Sequence, residues 1–244
     1  MPFFFYFDWP YLLLVVPALL FSLWASSRVN STFRQYSAMR NARGMTGADA
    51  ARAVLNSHGV HDVRIEYVAG NLTDHYDPKA KVIRLSQDVY GAATPAAVGV
   101  AAHEAGHAVQ YAQNYFPILV RAAIIPVTNL GSKLSVPLIF LGLLLPGIRF
   151  LAPYERFFNL IAWIGVACYG LCVLFQLLTL PTEFNASRRA VAAIETSGLL
   201  LPEEQRGAKR VLSAAALTYV AALSVSLTQL LRLILLVGVR RRRD

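Results

Sequence analysis

Three side chains within five residues carry the strongest chemical signal in this chain of 244 residues. His103-Glu104-Ala105-Gly106-His107 reads H-E-x-x-H. On a helix, positions i and i+4 share a face, so both imidazoles can reach one metal ion. Neutral imidazole suits zinc, with Zn–N bonds of about 2.0–2.1 Å. Glu104 is offset by one residue, which puts its carboxylate beside the metal rather than on it. There it can take a proton from a water that the metal acidifies. The stretch around the motif is otherwise nearly all Ala, Val and Gly. Two histidines and a glutamate would be costly there without a partner.

A catalytic zinc site has three protein ligands and an open position. The motif supplies two, and His107 is followed by Ala-Val-Gln-Tyr-Ala-Gln, with no further histidine. The other histidines are His58 and His61, which flank a helix end, and His75. The carboxylates downstream are Glu155, Glu183, Glu195, Glu203, Glu204 and Asp244. Glu183 stands out because it follows an apolar run of spanning length, in Pro181-Thr-Glu-Phe-Asn-Ala-Ser-Arg-Arg-Ala190. Two spans separate it from His107, so it returns to the side the chain left. Ala186 and Ala190, at i+3 and i+7, would let its helix pack closely on another. The plainer reading of Glu183 is a helix-start glutamate favoured by the macrodipole. Asp74, His75 and Tyr76 either border a substrate groove or stabilise an oxyanion, or only shape a hairpin before Pro78.

The elements that must position these groups are set by composition. Hydrophobic residues make up 56% and charged residues 15%, with a mean hydropathy of +0.46. Soluble domains average about 45–50% and about 25%. The difference excludes disorder and an ordinary soluble globule. Two cysteines exclude a disulfide scaffold. The net charge of +9 comes from 23 basic against 14 acidic residues. The basic residues flank apolar segments, so the charge reflects membrane topology rather than a nucleic-acid partner.

A span needs roughly 20 apolar residues. The first lies near residues 5–26, with Trp9 and Trp24 near its ends. The second is weaker: a short run from Leu134 to Ile148, or a bent helix from near residue 130, with a kink expected at Pro126. The third runs uncharged from Phe157 to Thr182, and the fourth from about Val211 to Val239. Arg232 interrupts the fourth close enough to its end to snorkel. Cys168 and Cys172 share a face of the third span, where cysteine packs as a small apolar residue.

Residues 28–116 are much more polar. Thr46-Gly-Ala-Asp49 resembles a capping box that opens a helix over 47–57, ending at Gly59. Val63, Ile65 and Tyr67 alternate with Arg64 and Glu66, which is strand spacing. Leu72–Tyr76 and Lys81–Leu85 flank Asp77-Pro78-Lys79-Ala80 and read as a hairpin. Thr94-Pro95 caps a helix running to about Asn114. The organisation expected is a first transmembrane helix over 1–27 and a small α/β module over 28–116. A two-helix membrane hairpin over 117–181, a helix over 182–210 and a last transmembrane helix with a basic tail over 211–244 complete it. The fold class is mainly α: a multi-pass membrane protein of about four transmembrane helices with a small α/β module.

Gly44-Met-Thr-Gly47, Leu72-Thr-Asp-His-Tyr-Asp-Pro78, Leu85-Ser86, Val100-Ala-Ala-His-Glu-Ala-Gly-His107 and Leu180–Ala190 together carry a likeness that covers almost the whole chain. The sequence resembles the YugP-type family of bacterial membrane zinc metallopeptidases. The family's likeness to gluzincin proteases of the HtpX and CAAX-prenyl type implies zinc on His103, His107 and Glu183, with Glu104 as base. It also implies a zincin-like module. Those relatives carry Glu-x-x-x-Asp at the third ligand. Here Ser187 stands at the Asp position, where it can hydrogen-bond to a ligand but supplies no charge.

The expected function is hydrolysis of peptide bonds in a peptide or protein substrate by a membrane-integrated, zinc-dependent enzyme. The substrate would lie extended along an edge strand of the small sheet. The alternative is a membrane assembly or quality-control factor with a non-catalytic zinc site, against which an intact Glu104 argues. A hydrolase acting on lipid or a modified peptide is a further rival. The expected location is the cell membrane with the site facing the cytoplasm. Arg28, Arg34, Arg40 and Arg43 follow the first span and no Lys or Arg precedes it. Arg240–Arg243 point the other way, because four spans would leave them outside.

Overall fold

The computed structural model describes residues 8–240. The start of the expected first span (residues 5–7) and the end of the basic tail, with Asp244, lie outside the described residues. In chain order the elements are α1 (Val16–Ser37), α2 (Gly47–Ser57), β1 (Arg64–Tyr67), β2 (His75–Asp77), β3 (Val82–Leu85), α3 (Gln87–Tyr90) and α4 (Pro95–Ala112). Three long helices follow: α5 (Phe116–Leu144), α6 (Glu155–Thr196) and α7 (Pro202–Arg240). A π-turn over Tyr11–Val15 leads into α1. The chain divides into two compact units. One comprises Met1–Leu23, Val120–Thr179 and Tyr219–Asp244, and the other Trp24–Leu119 and Leu180–Thr218.

The first unit is helical and apolar. Among the described residues four helices are long and apolar enough to cross a membrane: Tyr11–Ser37, Phe116–Gly147, Ala152–Thr196 and Pro202–Gly238. At about 1.5 Å per residue, α6 is roughly 60 Å long, twice the thickness of a bilayer's hydrocarbon core. Leu13, Leu20, Leu130, Phe157 and Leu160 are exposed, which suits lipid and not water. Small residues bring α5 and α6 together. A Cβ on Gly142 would meet Phe158 O and Ala162 N, both at 2.5 Å, and one on Gly165 would meet Ser135 O at 2.8 Å. Packing of this kind holds helices together where lipid leaves no hydrophobic drive between them.

Two expectations change here, and a third residue gains a partner. The second span is not short: α5 starts at Phe116 and runs through Pro126 and Pro137. Pro117 costs nothing in the first turn. Further on, an apolar surrounding leaves the rest of the backbone no better choice than the helix. The helix of the third span does not stop at Pro181, because α6 continues through that proline to Thr196. Arg232, expected to snorkel, is buried and paired. Its Nε donates to Asp8 at 3.0 Å (Oδ1) and 3.3 Å (Oδ2), and its guanidinium lies 5.1 Å from the Tyr11 ring centre. A paired charge has less need to reach water.

The second unit holds the sheet, in the order β1-β3-β2. β3 is central, parallel to β1 and antiparallel to β2, with Tyr76 opposite Ile83. Its Val82, Ile83 and Leu85 are fully buried. The hairpin exists, and the Asp77 carboxylate closes its turn by accepting from Lys79 N and Ala80 N. β2 is shorter than Leu72–Tyr76 suggested, since Leu72 sits at φ +55° and Asp74 is drawn aside by Ser86. The helix start signals hold. Thr46 and Asp49 form the capping box of α2, and Thr94 Oγ1 accepts from Ala97 N to cap α4. α4 stops at Ala112, two residues early, where Asn114 turns to φ +52°. Val54 and Leu55 of α2, Leu85, the Ala101, Ala102, Ala105 and Val109 face of α4, Ala190 and Ile194 of α6, and Val211 of α7 form one core.

Candidate metal centre

α4 carries His103 and His107 one turn apart, and α6 carries Glu183, 2% exposed. The two helices touch backbone to backbone. A Cβ on Gly106, inside the H-E-x-x-H motif, would lie 2.8 Å from Ala186 O. Ala186 and Ala190 are fully buried. This close approach brings Glu183 Oε2 to 3.2 Å from His103 Nε2 and 3.4 Å from His107 Nε2. The imidazole rings stand edge to face with centres 4.7 Å apart. One ligand atom from each of the three residues lies within 4.8 Å of the others.

These separations fit a tetrahedral metal. Bonds of about 2.0–2.2 Å at tetrahedral angles put ligand atoms roughly 3.3–3.5 Å apart. Two imidazole nitrogens and one carboxylate oxygen are also a donor set that zinc takes. Among the described residues Glu104 is not a member of this group.

The far nitrogen of each ring is also held. His103 Nδ1 lies 3.1 Å from Ser187 Oγ, and His107 Nδ1 lies 3.0 Å from Gln110 Oε1. Burial works against a charged His107, but the bond to Glu183 and the charge of Glu104 outweigh it and hold the imidazole above its usual range. Asp74 sits close enough to Glu104 to feel its charge. Burial pushes the Asp74 carboxyl up, against the bonds it accepts from Ser86 N (2.7 Å) and Ser86 Oγ (3.0 Å).

The other candidates are distributed as follows. Tyr76 is half-buried and its ring lies 5.7 Å from that of Tyr111, one turn beyond His107 on α4. His75 is exposed and bound to Thr73 O and the Arg84 guanidinium, so it does not join the group. His58 is occupied by Val54 O and Ser57. Glu195 pairs with Lys209, and Glu204 accepts from Ala42 N and Leu201 N. Gln110 and Asn185 are the residues that sequence reasoning passed over. The available signal was a glutamine at i+3 from His107, on the ligand face of an otherwise apolar helix.

Compared with known families, residues 11–238 match the one described as "Putative neutral zinc metallopeptidase". Among curated proteins, "Putative membrane protease YugP" of Bacillus subtilis (strain 168) is 44% identical over 226 residues, covering 93% of this chain and 96% of the relative. No solved structure matches.

Proposed function

The chain belongs to this family of neutral zinc metallopeptidases, and from that premise we propose that it is a membrane-embedded peptidase with zinc on His103, His107 and Glu183 and with Glu104 as general base. The observation that carries the reading is the meeting of two imidazole nitrogens and one buried carboxylate oxygen at 3.2 and 3.4 Å, with Glu104 adjacent in sequence and outside that group.

Zinc, when bound, supplies Lewis acidity that polarises a scissile carbonyl and lowers the pKa of a water to about 7. Glu104 accepts a proton from the attacking water and returns it to the leaving amine, so one carboxylate serves both halves of the reaction. Asp74, half-buried within reach of the Glu104 charge and tied to Ser86, holds the loop before β2 in place. The substrate strand runs along the free edge of β2, the edge whose Tyr76 packs against Tyr111 of the ligand-bearing helix. The substrate is a peptide or protein segment, and the protein works in the cell membrane with its site on the cytoplasmic side.

Casein digestion by purified Glu104→Gln tests the assignment. Zinc content should equal that of the wild type, while hydrolysis falls by about 10²–10⁴-fold. Full hydrolysis by this variant would remove Glu104 from the role of base. Absence of hydrolysis by a zinc-loaded wild type would favour a non-catalytic zinc protein.

A further inference from the structure

Gln110 is the most deeply buried polar side chain on α4, at 0% exposure, and its two ends do different things. Nε2 donates to Thr182 O at 2.8 Å and to Asn185 Oδ1 at 3.0 Å. Oε1 faces His107 Nδ1 at 3.0 Å. A backbone carbonyl only accepts, so the end of the amide facing Thr182 must be the NH₂ group. The oxygen therefore faces the histidine, and His107 Nδ1 must be the donor. That leaves Nε2, the atom directed at Glu183, as the nitrogen with a free lone pair.

Thr182 and Asn185 bracket Glu183 on α6. One buried amide thus touches the second histidine and the turn of α6 that carries the carboxylate. Asn185 Oδ1 also accepts from Arg189 Nε at 2.7 Å, and Arg189 reaches back to Gln113 Oε1 at 2.6 Å. The chain of bonds runs from α4 to α6 and back to the C-cap residue of α4. A hydrogen bond to the far nitrogen of a metal-ligating histidine fixes its tautomer and ring orientation and raises its basicity.

We propose that Gln110 is a positioning residue for the zinc site: it sets the His107 tautomer and fastens that histidine to the turn carrying Glu183. The proposal rests on the reading of His103, His107 and Glu183 as zinc ligands. It differs from simple core filling, because a side chain of equal length and no hydrogen-bonding power would fill the same space.

The test is zinc affinity of the full chain in detergent, measured by competition with a chelating dye, for wild type and Gln110→Met. Methionine matches glutamine in length and suits a buried site, so a packing role predicts unchanged affinity in a folded variant. The positioning role predicts a loss of about 10–100-fold. Unchanged affinity in folded Gln110→Met overturns the proposal. A wild type that binds no zinc overturns instead the ligand assignment beneath it. If Gln110→Met does not fold, nitrogen-15 spectra of histidine-labelled, zinc-loaded wild type decide, with the His107 signals identified by their loss in His107→Gln. A protonated, hydrogen-bonded Nδ1 on His107 supports the proposal; a proton on Nε2 with the metal on Nδ1 overturns it.

Discussion

A carboxylate as buried as Glu183 is expensive unless cations or a metal face it, and here two imidazole nitrogens stand where they could share a metal with it. The rings need partners in turn, and Ser187 and Gln110 supply them. Ser187→Ala should therefore weaken zinc binding, by about 10-fold at the lower end of such losses. Ser187→Asp, which restores a charge behind His103, should strengthen it. Chelator competition measures both, and an inverted order would remove Ser187 from the site. Asp77 gives a pH prediction away from the metal. Bonds from Ala80 N, the Arg84 side chain and Lys79 N hold its carboxyl below the usual range. Its contribution is present above the unfolded value of about 3.9 and is lost as pH falls through the lower folded one. Asp77→Asn should be less stable than wild type at neutral pH, and the gap should close in acid when melting is followed across that range. His103, Glu104 and His107 were legible in the sequence because their relation is local, one turn of one helix. Gln110 was not, because its importance arises only where α6 crosses α4, 72 and 75 positions away along the chain.

At the scale of elements, the site depends on how closely α4 and α6 approach. Gly106 and Ala186 permit it, since a methyl group on Gly106 would run into the Ala186 carbonyl at 2.8 Å. Gly106→Ala should push the helices apart, lower stability by about 1–3 kcal/mol and weaken zinc binding together with it. Melting temperature and zinc affinity measured on one preparation check this, and a variant that keeps both would show that the crossing is not the constraint. The small-residue positions 186 and 190 were readable as a packing stripe from their spacing alone. The continuity of α6 through Pro181 and of α5 through its two internal prolines was not. Proline rules describe what water and alternative turns offer a chain, and an apolar environment removes those alternatives. The partner of Arg232 was not legible either, since Asp8 lies 224 positions away.

At the scale of the whole molecule, the proposed ligands come from chain segments 80 positions apart that join one compact unit, Trp24–Leu119 with Leu180–Thr218. A soluble fragment of residues 28–116 has the two histidines without Glu183. It should bind zinc poorly, and tight stoichiometric binding by that fragment would contradict the third ligand. The proposed cytoplasmic orientation predicts that a cysteine introduced near residue 60 resists impermeant reagents in intact cells and reacts once cells are opened. Strong labelling of intact cells would reverse it. The count of four spans was legible from hydropathy, because length and lack of charge suffice for it. Which parts of those helices pair with the small module was not, because the same helices serve both units.

The proposed site stands or falls on Glu183 being a ligand and Glu104 not being one. The direct measurement is zinc per chain in detergent-purified Glu183→Ala, Glu104→Gln, Glu195→Ala and Glu203→Ala. Glu183→Ala should lose its zinc while the other three retain one ion each. Full zinc in Glu183→Ala, with loss in Glu195→Ala or Glu203→Ala, would contradict it.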